Sequence, residues 1–376
     1  RARPRARPRA RRAEGRRFLV RCLFLPLFSL APALFGAAAA AADSGSGAAG
    51  GPQASALSPR YMKRKLNDGT EMPVLGLGTW KSKASDVEEA VFYAICSAGY
   101  RHIDAAQIYM NQEQVGRAIH RAMESCDLKR EELWVTSKVW MTDFHPDDLP
   151  AAVDRILREL QLDYVDQLLL HWPVPYAKPP TGCPPSCPGK FAGTDDAMRP
   201  RGADGQLVNG DTPLQDTWRA MEAAQAAGKV RSIGVSNFGA DEIASLAGGR
   251  ADAVVPAVNQ VEAHVFWNQA RLRTEMQALG VAVVAYTPLG NPAIYGSKLE
   301  GMVSDLVTEI AAEAGLTPAQ VMLNFLLSQD VIVVPKSVTP SRIYDNMNFQ
   351  LNLTSEHIER LIREAPQKRL ANPNNR

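Results

Sequence analysis

The sequence predicts an α/β fold, a closed (β/α)8 barrel of the TIM type whose bottom is capped by an N-terminal hairpin. Short apolar runs rich in β-branched residues alternate eight times with amphipathic helical segments, the pattern of a parallel barrel with its helices outside. Residues 64–70 contain an Asp-Gly dipeptide, which favours a tight hairpin turn. A Rossmann fold is not indicated, because Lys81 stands where a third glycine would complete G-x-G-x-x-G after Gly76 and Gly78.

The predicted strands and helices follow one another through the chain after residue 60. Apolar runs that favour strands occupy residues 74–78, 101–104, 133–139, 164–170, 230–235, 257–261, 281–286 and 331–335. Helical patterns occupy residues 85–98, 112–125, 146–160, 212–227, 240–246, 269–279, 302–314, 318–329 and 340–346. We therefore assign residues 61–376 to one barrel domain, a size that single α/β barrels commonly reach.

The formal net charge of +2 hides two chemically different parts of the chain. Residues 1–42 contain ten arginines and one acidic residue and carry +9, whereas the other 334 residues contain 32 basic and 39 acidic residues and carry −7. An acidic body argues against nucleic acid as a partner. With 45% hydrophobic residues the chain can bury a large core, which excludes a wholly disordered or fibrous protein.

Residues 1–60 form a predicted leader and linker. The first seventeen residues are rich in arginine, and residues 22–42 carry no charge and end in an alanine run, the order of a secretory signal. The same composition fits an organelle transit peptide, an uncleaved membrane anchor or upstream sequence wrongly joined to the gene. We expect a cytoplasmic barrel without membrane contact, with organelle or secretory targeting as the alternative if the leader is genuine.

The five cysteines do not indicate a protein held together by disulfides. Cys22, Cys96 and Cys126 lie singly in the sequence. Cys183 and Cys187 lie four residues apart in a proline-rich loop, without a second pair that would complete a zinc site. We expect these last two thiols to be free, with a local disulfide as the alternative, and we predict no metal site.

Four polar residues stand at or just beyond the carboxyl ends of predicted strands two to four, the end of a barrel that carries the chemistry. Asp104 ends the second strand, and Tyr109 follows in the next loop. Lys138 lies near the end of the third strand, and His171 follows the fourth. Three of them also fit structural roles when taken singly, as a helix cap, a lysine extending from an apolar strand and a buried histidine. Their joint placement favours a shared site.

These residue types together suit proton donation to an oxygen that gains negative charge. A nearby ammonium stabilises a phenolate, so we expect Lys138 to lower the pKa of Tyr109 from its usual value of about 10. Lys138 in turn needs a counter-charge at an apolar strand end, which Asp104 can supply. A neutral His171 can orient a carbonyl oxygen beside the tyrosine. Such a site fits the reduction of a carbonyl group by hydride.

Seven motifs follow one another along the predicted barrel: Gly76-Leu77-Gly78-Thr79-Trp80, Gly99-Tyr100-Arg101-His102-Ile103-Asp104 leading to Tyr109, Thr136-Ser137-Lys138, His171-Trp172-Pro173, Gly234-Val235-Ser236-Asn237-Phe238, Asn259-Gln260-Val261-Glu262 and Val334-Pro335-Lys336-Ser337. With these motifs the chain resembles the aldo-keto reductase superfamily from about Lys63 to Leu361. The resemblance implies a barrel that binds NADPH or NADP+ across its top, with a catalytic tetrad of Asp104, Tyr109, Lys138 and His171. Tyr109 would be the general acid in reduction and the base in oxidation.

The resemblance also implies a set of cofactor-binding residues. Ser236, Asn237 and Gln260 would bind the nicotinamide carboxamide, and Tyr286 would stack on the nicotinamide ring. Thr79 and Asp104 would lie near the nicotinamide ribose and Leu289 near the pyrophosphate, and Trp80 is a further cofactor position. The adenine end would lie at Lys336, Ser337, Val338, Arg342, Asp345 and Asn346.

The residues at the adenine end support a phosphate site independently of the resemblance. Thr339-Pro340 predicts the start of a helix, where backbone N–H groups are free to bind an anion. Lys336 and Arg342 add two cations there, which favours the 2′-phosphate of NADPH over the bare ribose of NADH. A solvated basic helix start is the structural alternative.

The resemblance implies a substrate pocket walled by Trp80, Trp140 and Trp172 and containing Tyr109 and His171. The chain departs from the family pattern at Met110, in the long loop 172–211 and at Ala263-His264-Val265, and only fifteen residues follow Leu361. These departures leave the substrate undefined. The sequence around Leu162 and His171 is most similar to fungal or algal members that act on small aldehydes, ketoses and polyols.

The sequence therefore predicts an NADP-dependent oxidoreductase of the alcohol dehydrogenase (NADP+) type. It would reduce an aldehyde or ketone, related to a small aldehyde, sugar or polyol, to the alcohol. We expect a monomer whose partner is this small carbonyl substrate. The alternative is a non-catalytic NADPH-binding protein, regulatory or structural, on the same barrel.

Overall fold

The computed structural model describes residues 58–177, 198–201, 206–290 and 305–370. They all belong to one compact unit that begins at Ala54. The leader, with Cys22, lies outside the described residues, as do Cys183, Cys187 and the first residues of the helix predicted from position 302. The domain boundary at residue 60 stays a prediction.

A two-stranded antiparallel hairpin precedes the barrel. Its strands are β1 (Lys63–Lys65) and β2 (Glu71–Pro73), and the turn between them closes where the Leu66 N–H donates to the Thr70 carbonyl at 2.8 Å. Leu66 and Met72 are buried in the apolar cluster that fills the barrel interior. The predicted hairpin therefore closes the amino-terminal end of the barrel.

The barrel consists, within the described residues, of eight parallel strands: β3 (Leu77–Gly78), β4 (His102–Asp104), β5 (Trp134–Val139), β6 (Val165–Leu170), β7 (Val230–Ser236), β8 (Val258–Glu262), β9 (Ala282–Tyr286) and β10 (Ile332–Val334). They pair in sequence order. The Gly76 N–H donates to the Val333 carbonyl and the Gly78 N–H to the Pro335 carbonyl, each at 2.9 Å, so the last strand lies beside the first. The predicted (β/α)8 fold is confirmed.

The helices of the described part pack around these strands: α1 (Ala84–Tyr93), α2 (Gln112–Ser125), α3 (Leu149–Leu160), α4 (Leu214–Ala226), α5 (Ala240–Leu246), α6 (Ala270–Ala278), α7 (Leu306–Ala314), α8 (Pro318–Leu327), α9 (Pro340–Met347) and α10 (Ser355–Glu364). Helices α2 and α5 have the predicted bounds. The helix predicted from residue 146 begins at Leu149, because residues 145–148 form a turn whose His145 carbonyl accepts from the Asp148 N–H. Helix α10 was not predicted.

A disulfide joins Cys96 and Cys126, which the sequence pattern treats as single cysteines. Cys96 lies in the π-helical turn Ala94–Ala98 that continues α1, and Cys126 is the residue directly after α2. Packing of these two neighbouring helices brings the Cα atoms to 5.8 Å although 30 residues separate them in sequence. The sequence gives no sign of this pairing, because the two cysteines lie singly and meet only through the packing of the helices.

The core has two layers, one inside the barrel and one between the strands and the helices. At Gly76 the close approach of His102 explains the residue type, since a Cβ there would lie 2.5 Å from the His102 Nδ1 atom. In the described part of the chain no group of three or more His, Cys, Asp or Glu side chains forms a metal site. None of the described helices is by itself long and apolar enough to span a bilayer; α7 and α8 reach that length only as a pair bent by 86°.

Candidate active site

The ammonium group of Lys138 lies at the centre of the predicted tetrad. Strand β5 places the residue at its carboxyl end, where the side chain is fully buried. The Nζ atom donates to both carboxylate oxygens of Asp104 at 2.8 Å, to the Ala105 carbonyl at 2.9 Å and to the Tyr109 hydroxyl oxygen at 3.2 Å. Burial lowers the pKa of Lys138, and the Asp104 carboxylate opposes that shift. The ion pair thus keeps a buried cation in contact with a phenol.

Asp104 is held from a second side by an amide. The Gln260 Nε2 atom donates to Asp104 Oδ1 at 2.8 Å, so β8 contributes to the same cluster as β4 and β5. The Asp104 backbone carbonyl accepts from the Thr79 hydroxyl at 2.9 Å. Two residues of the predicted cofactor site, Gln260 and Thr79, therefore contact Asp104 directly.

Tyr109 ends a single 3-10 turn, Gln107–Tyr109, just beyond β4. Burial raises the pKa of the Tyr109 phenol well above its ordinary value, and the charge of Asp104 and the Tyr286 phenol raise it further. Lys138 was expected to lower this pKa, and that expectation is wrong for this structure, where the net shift is upward. Burial is the largest cause, so the phenol is protonated at neutral pH.

His171 follows β6 and lies beside the phenol. Its ring meets the Tyr109 ring edge-on with 5.9 Å between centroids, and it meets the Trp140 ring edge-on at 5.2 Å. The side chain is buried. The structure thus brings Asp104, Tyr109, Lys138 and His171 together, as predicted from their positions at strand ends.

The residues assigned to the nicotinamide carboxamide form a connected polar group at the ends of β7, β8 and β9. The Asn237 Nδ2 atom donates to the His171 carbonyl and to the Ser236 hydroxyl, each at 3.0 Å, and the Tyr286 hydroxyl donates to Asn237 Oδ1 at 2.8 Å. The Ser236 hydroxyl donates to the Gln260 carbonyl at 2.8 Å. Since Gln260 also contacts Asp104, this group is continuous with the tetrad.

The adenine-end residues lie separately, after β10 and on α9. The side chains of Lys336, Arg342 and Asp345 are exposed, Val338 is half-buried, and Ser337 and Asn346 are buried. A parallel bridge between Gly78 and Lys336 connects this region to the start of the predicted nicotinamide site at Thr79. The half-buried Leu289 lies beyond the end of β9.

Helix α9 begins where Thr339-Pro340 predicts, but in the described part of the chain the Thr339 side chain does not cap it. Pro340 occupies the first turn, and no hydrogen bond from the Thr339 side chain caps the helix within the described residues. Instead the Thr339 N–H donates to the Ser337 hydroxyl at 3.1 Å. The buried Tyr100 hydroxyl donates to the Ile343 carbonyl at 3.1 Å, which fixes the helix against the barrel.

The three predicted wall tryptophans differ in exposure. Trp140 and Trp172 are buried, whereas Trp80 is 39% exposed and carries the Lys81 ammonium 4.8 Å from its ring centroid. The Trp140 indole N–H donates to the Met198 carbonyl at 2.6 Å, so the described part of the long loop after β6 contacts the wall.

Sequence reasoning missed several residues that hold this site in place. The Asn111 Nδ2 atom donates to the Thr79 carbonyl at 3.0 Å and the Ser82 carbonyl at 3.2 Å. Gln107 binds the backbone of Trp140 and the carboxylate of Asp143. The signal in the sequence is weak, because each is a lone amide residue near Tyr109 whose partners lie far along the chain.

The comparisons with known proteins agree with this geometry. The model of the aldo/keto reductase family matches residues 74–363. Aldo-keto reductase family 1 member A1 of Pongo abelii is 39% identical over 304 residues, covering 79% of this chain and 87% of that protein. Member A1-A of Danio rerio is also 39% identical, over 305 residues and with the same coverage.

A solved structure extends the likeness to three dimensions. The aldose reductase from Schistosoma japonicum superposes with a TM-score of 0.71 at 36% identity, covering 82% of this chain and 93% of that one. The family match covers more than half of the chain, and the relatives in sequence and in structure agree with it. The chain belongs to the aldo/keto reductase family.

Proposed function

We propose that this protein is an NADPH-dependent reductase that converts an aldehyde or ketone to an alcohol, with Tyr109 as the proton donor. The observation that carries the proposal is the buried ammonium of Lys138 between the Asp104 carboxylate and the Tyr109 hydroxyl oxygen. An oxidoreductase function agrees with the family, whose members use NADPH.

The orientation of the phenol follows from hydrogen-bond chemistry. An ammonium group can only donate, so the Tyr109 oxygen accepts from Lys138 and its own hydrogen is free to point toward a bound carbonyl oxygen. When that oxygen gains negative charge it becomes far more basic than a phenolate and takes the proton. The Tyr109 phenolate left after this transfer would be stabilised by the Lys138 ammonium 3.2 Å away, and Asp104 keeps Lys138 charged.

His171 and the aromatic wall provide the place for the carbonyl compound. The His171 ring lies edge-on to both Tyr109 and Trp140, so a carbonyl oxygen near the phenol also meets the imidazole. The buried indoles of Trp140 and Trp172 offer an apolar surface to the rest of the substrate. We propose small aldehydes and sugar- or polyol-related carbonyl compounds as the substrate class.

The proposed NADPH site fits the residues present. NADPH supplies the hydride when bound. Ser236, Asn237 and Gln260 offer hydroxyl and amide groups for the carboxamide, adjacent to the tetrad through Gln260. Lys336 and Arg342 are exposed and form no ion pair with any other described residue, so two cations are available for the 2′-phosphate.

The test is the consumption of NADPH by the purified chain, followed by nicotinamide absorbance with a panel of short aldehydes, aldoses and ketones. We expect turnover with part of the panel and tighter binding of NADPH than of NADH, measured by quenching of protein fluorescence. Tight NADPH binding without turnover of any carbonyl compound would contradict the proposal and favour a regulatory or structural protein on the same barrel.

The monomeric state and the cytoplasmic location stay predictions. Light scattering coupled to size exclusion tests the first, and fractionation of native cells tests the second. A lack of nucleic-acid binding at physiological salt would agree with the acidic body of the chain.

A further inference from the structure

Gln107 is a buried amide two residues before Tyr109 on the same short turn. Its side chain is only 5% exposed, and it begins the 3-10 turn that Tyr109 ends. A polar side chain buried beside an apolar pocket is destabilising unless both ends of its amide find partners. We therefore expect both the oxygen and the nitrogen of the Gln107 amide to have hydrogen-bond partners.

Both ends of the amide are occupied by groups from the segment that follows β5. The Gln107 Oε1 atom accepts from the Trp140 backbone N–H at 3.1 Å. The Nε2 atom donates to Asp143 Oδ2 at 2.5 Å, and the Arg155 guanidinium donates to the same oxygen at 2.5 Å. The Gln107 amide thus links the turn that carries Tyr109 to Trp140 and to the turn that follows it.

Besides Gln107, the turn is held by Lys138 at the Tyr109 hydroxyl, by Asn111 just after it and by its own short backbone hydrogen bonds. Its backbone hydrogen bonds run from the Tyr109 N–H to the Ala106 carbonyl at 3.0 Å and from the Met110 N–H to the Gln107 carbonyl at 3.3 Å. Met110 then adopts a left-handed φ of 56°, an unfavourable conformation for a long side chain. The side-chain bonds of Gln107 therefore bear on the placement of the phenol.

The two residues that Gln107 links, Tyr109 through its turn and Trp140 through its backbone, both contact His171. The Tyr109 and Trp140 rings both contact the His171 ring edge-on, at 5.9 Å and 5.2 Å. A shift of the Tyr109 turn relative to the Trp140 backbone would move the proton donor relative to the wall against which a substrate lies. Displacements of about 1 Å in such geometry can cost about 10²-fold in rate.

We propose that Gln107 is a positioning residue, which sets the Tyr109 hydroxyl against the Trp140 wall by bonding the Trp140 backbone and the Asp143 carboxylate at once. The inference rests on the proposed carbonyl reduction. It requires an amide at this position, because one end must accept from an N–H and the other must donate to a carboxylate. A carboxylate at residue 107 satisfies only the first requirement and faces Asp143 with like charge.

The test compares Gln107→Glu, Gln107→Met and the double variant Gln107→Glu/Asp143→Asn with the wild-type chain. We expect Gln107→Glu to lower kcat by about tenfold or more at pH 8 with the dissociation constant of NADPH unchanged within about twofold. The loss should shrink toward pH 5.5, because a protonated carboxyl can again donate to its neighbour. Gln107→Met, which loses both bonds without adding charge, should lower kcat without this pH dependence.

The double variant provides the readout that a merely structural role would not give. An asparagine at position 143 donates to the new carboxylate, which still accepts from the Trp140 N–H, and the group keeps one carboxylate, one amide and the Arg155 cation. We expect kcat to return to within about threefold of wild type and the added pH dependence to vanish. Gln277→Glu, on the exposed side of α6, is the matched control and should leave kcat unchanged.

Either of two results would overturn this inference alone. The first is wild-type kcat at pH 8 in folded Gln107→Glu and Gln107→Met, which would show that the amide serves stability only. The second is a failure of Asp143→Asn to restore turnover in the double variant. Absence of turnover by the wild-type chain with every carbonyl compound would remove the proposed function and this inference together. Wild-type turnover with unaltered variants would remove only the inference.

Discussion

Lys138 Nζ lies 3.2 Å from the hydroxyl oxygen of Tyr109, and the same nitrogen contacts both carboxylate oxygens of Asp104 at 2.8 Å. This relationship makes the phenol an acceptor toward the lysine and a donor toward the pocket. Burial holds the pKa of the phenol well above its ordinary value, so in the proposed reduction proton transfer would depend on the basicity of the oxygen formed in the substrate.

Replacement of Tyr109 by phenylalanine removes the donor and preserves the ring against His171. We expect kcat for aldehyde reduction to fall by about 10²-fold or more, since general acid catalysis typically contributes that much. The dissociation constant of NADPH should stay within about twofold of wild type. Tyr344→Phe, an exposed tyrosine on α9, is the control. Residual turnover above a tenth of wild type would contradict the assignment.

Replacement of Lys336 and Arg342 by alanine removes two exposed cations near the start of α9. Charge-assisted hydrogen bonds contribute about 1.5–3 kcal/mol each, so the double variant should bind NADPH at least about 10²-fold more weakly while NADH affinity changes little. Binding is measured by fluorescence quenching at fixed ionic strength. Lys63→Ala/Lys65→Ala, on the hairpin at the other end of the barrel, makes the same charge change. Equal losses for both cofactors would remove the 2′-phosphate assignment.

His102 makes the stability of the fold depend on pH. Burial lowers the pKa of this imidazole to about 4, with a smaller opposing effect from Asp104 and a smaller supporting one from Lys138. Below about pH 6.5 the unfolded chain takes up a proton that the folded chain does not take up until pH 4 is approached. Above pH 6.5 the neutral imidazole causes no loss of stability. As the pH falls from 6.5 to 4, the free energy of unfolding decreases by about 3 kcal/mol because of this residue.

The measurement is the free energy of unfolding in denaturant between pH 4 and pH 7.5. Wild type should lose more stability over this range than His102→Gln, because glutamine has no proton to gain. His145→Gln, at an exposed position, should follow the wild-type curve. Parallel curves for wild type and His102→Gln would show that this imidazole does not contribute to acid destabilisation.

A polar pair inside the barrel offers a stabilising substitution. Gln167 and Ser232 face each other in register on β6 and β7 and are fully buried. Within the described residues, neither the Gln167 amide nor the Ser232 hydroxyl has a hydrogen-bond partner. An unsatisfied buried polar group costs about 1–3 kcal/mol, so Gln167→Leu with Ser232→Ala should raise the free energy of unfolding by a similar amount. A fall in stability would indicate that bound water satisfies these groups.

The sequence was sufficient for the fold and for the convergence of Asp104, Tyr109, Lys138 and His171, because both follow from local order. Eight apolar runs separated by helices leave few arrangements other than a barrel, and parallel strands present their carboxyl ends on one side. Asp104, Lys138 and His171 had to converge once these strands were adjacent. The position of Tyr109 five residues after Asp104 kept it at the same end.

Other features depend on contacts between distant parts of the chain. The bond from Gln107 to Asp143 crosses 36 residues, and the bond from Gln260 to Asp104 crosses 156. The pKa of Tyr109 rises chiefly because the phenol is buried, and no spacing in the sequence expresses that burial. Pairing of the single cysteines at positions 96 and 126 likewise required the packing of α1 on α2.

The disulfide between Cys96 and Cys126 is expected to stabilise the barrel without serving the site. It closes a loop of 30 residues, so reduction should lower the free energy of unfolding by about 2–4 kcal/mol, because the unfolded chain gains conformational freedom. Unfolding in denaturant with and without dithiothreitol measures the loss, and Cys96→Ser/Cys126→Ser should be insensitive to the reductant. Turnover of the native protein should persist after reduction, since neither cysteine contacts the tetrad. Free thiols located at Cys96 and Cys126 of the native protein by mass spectrometry, or equal stability before and after reduction, would show this prediction to be wrong.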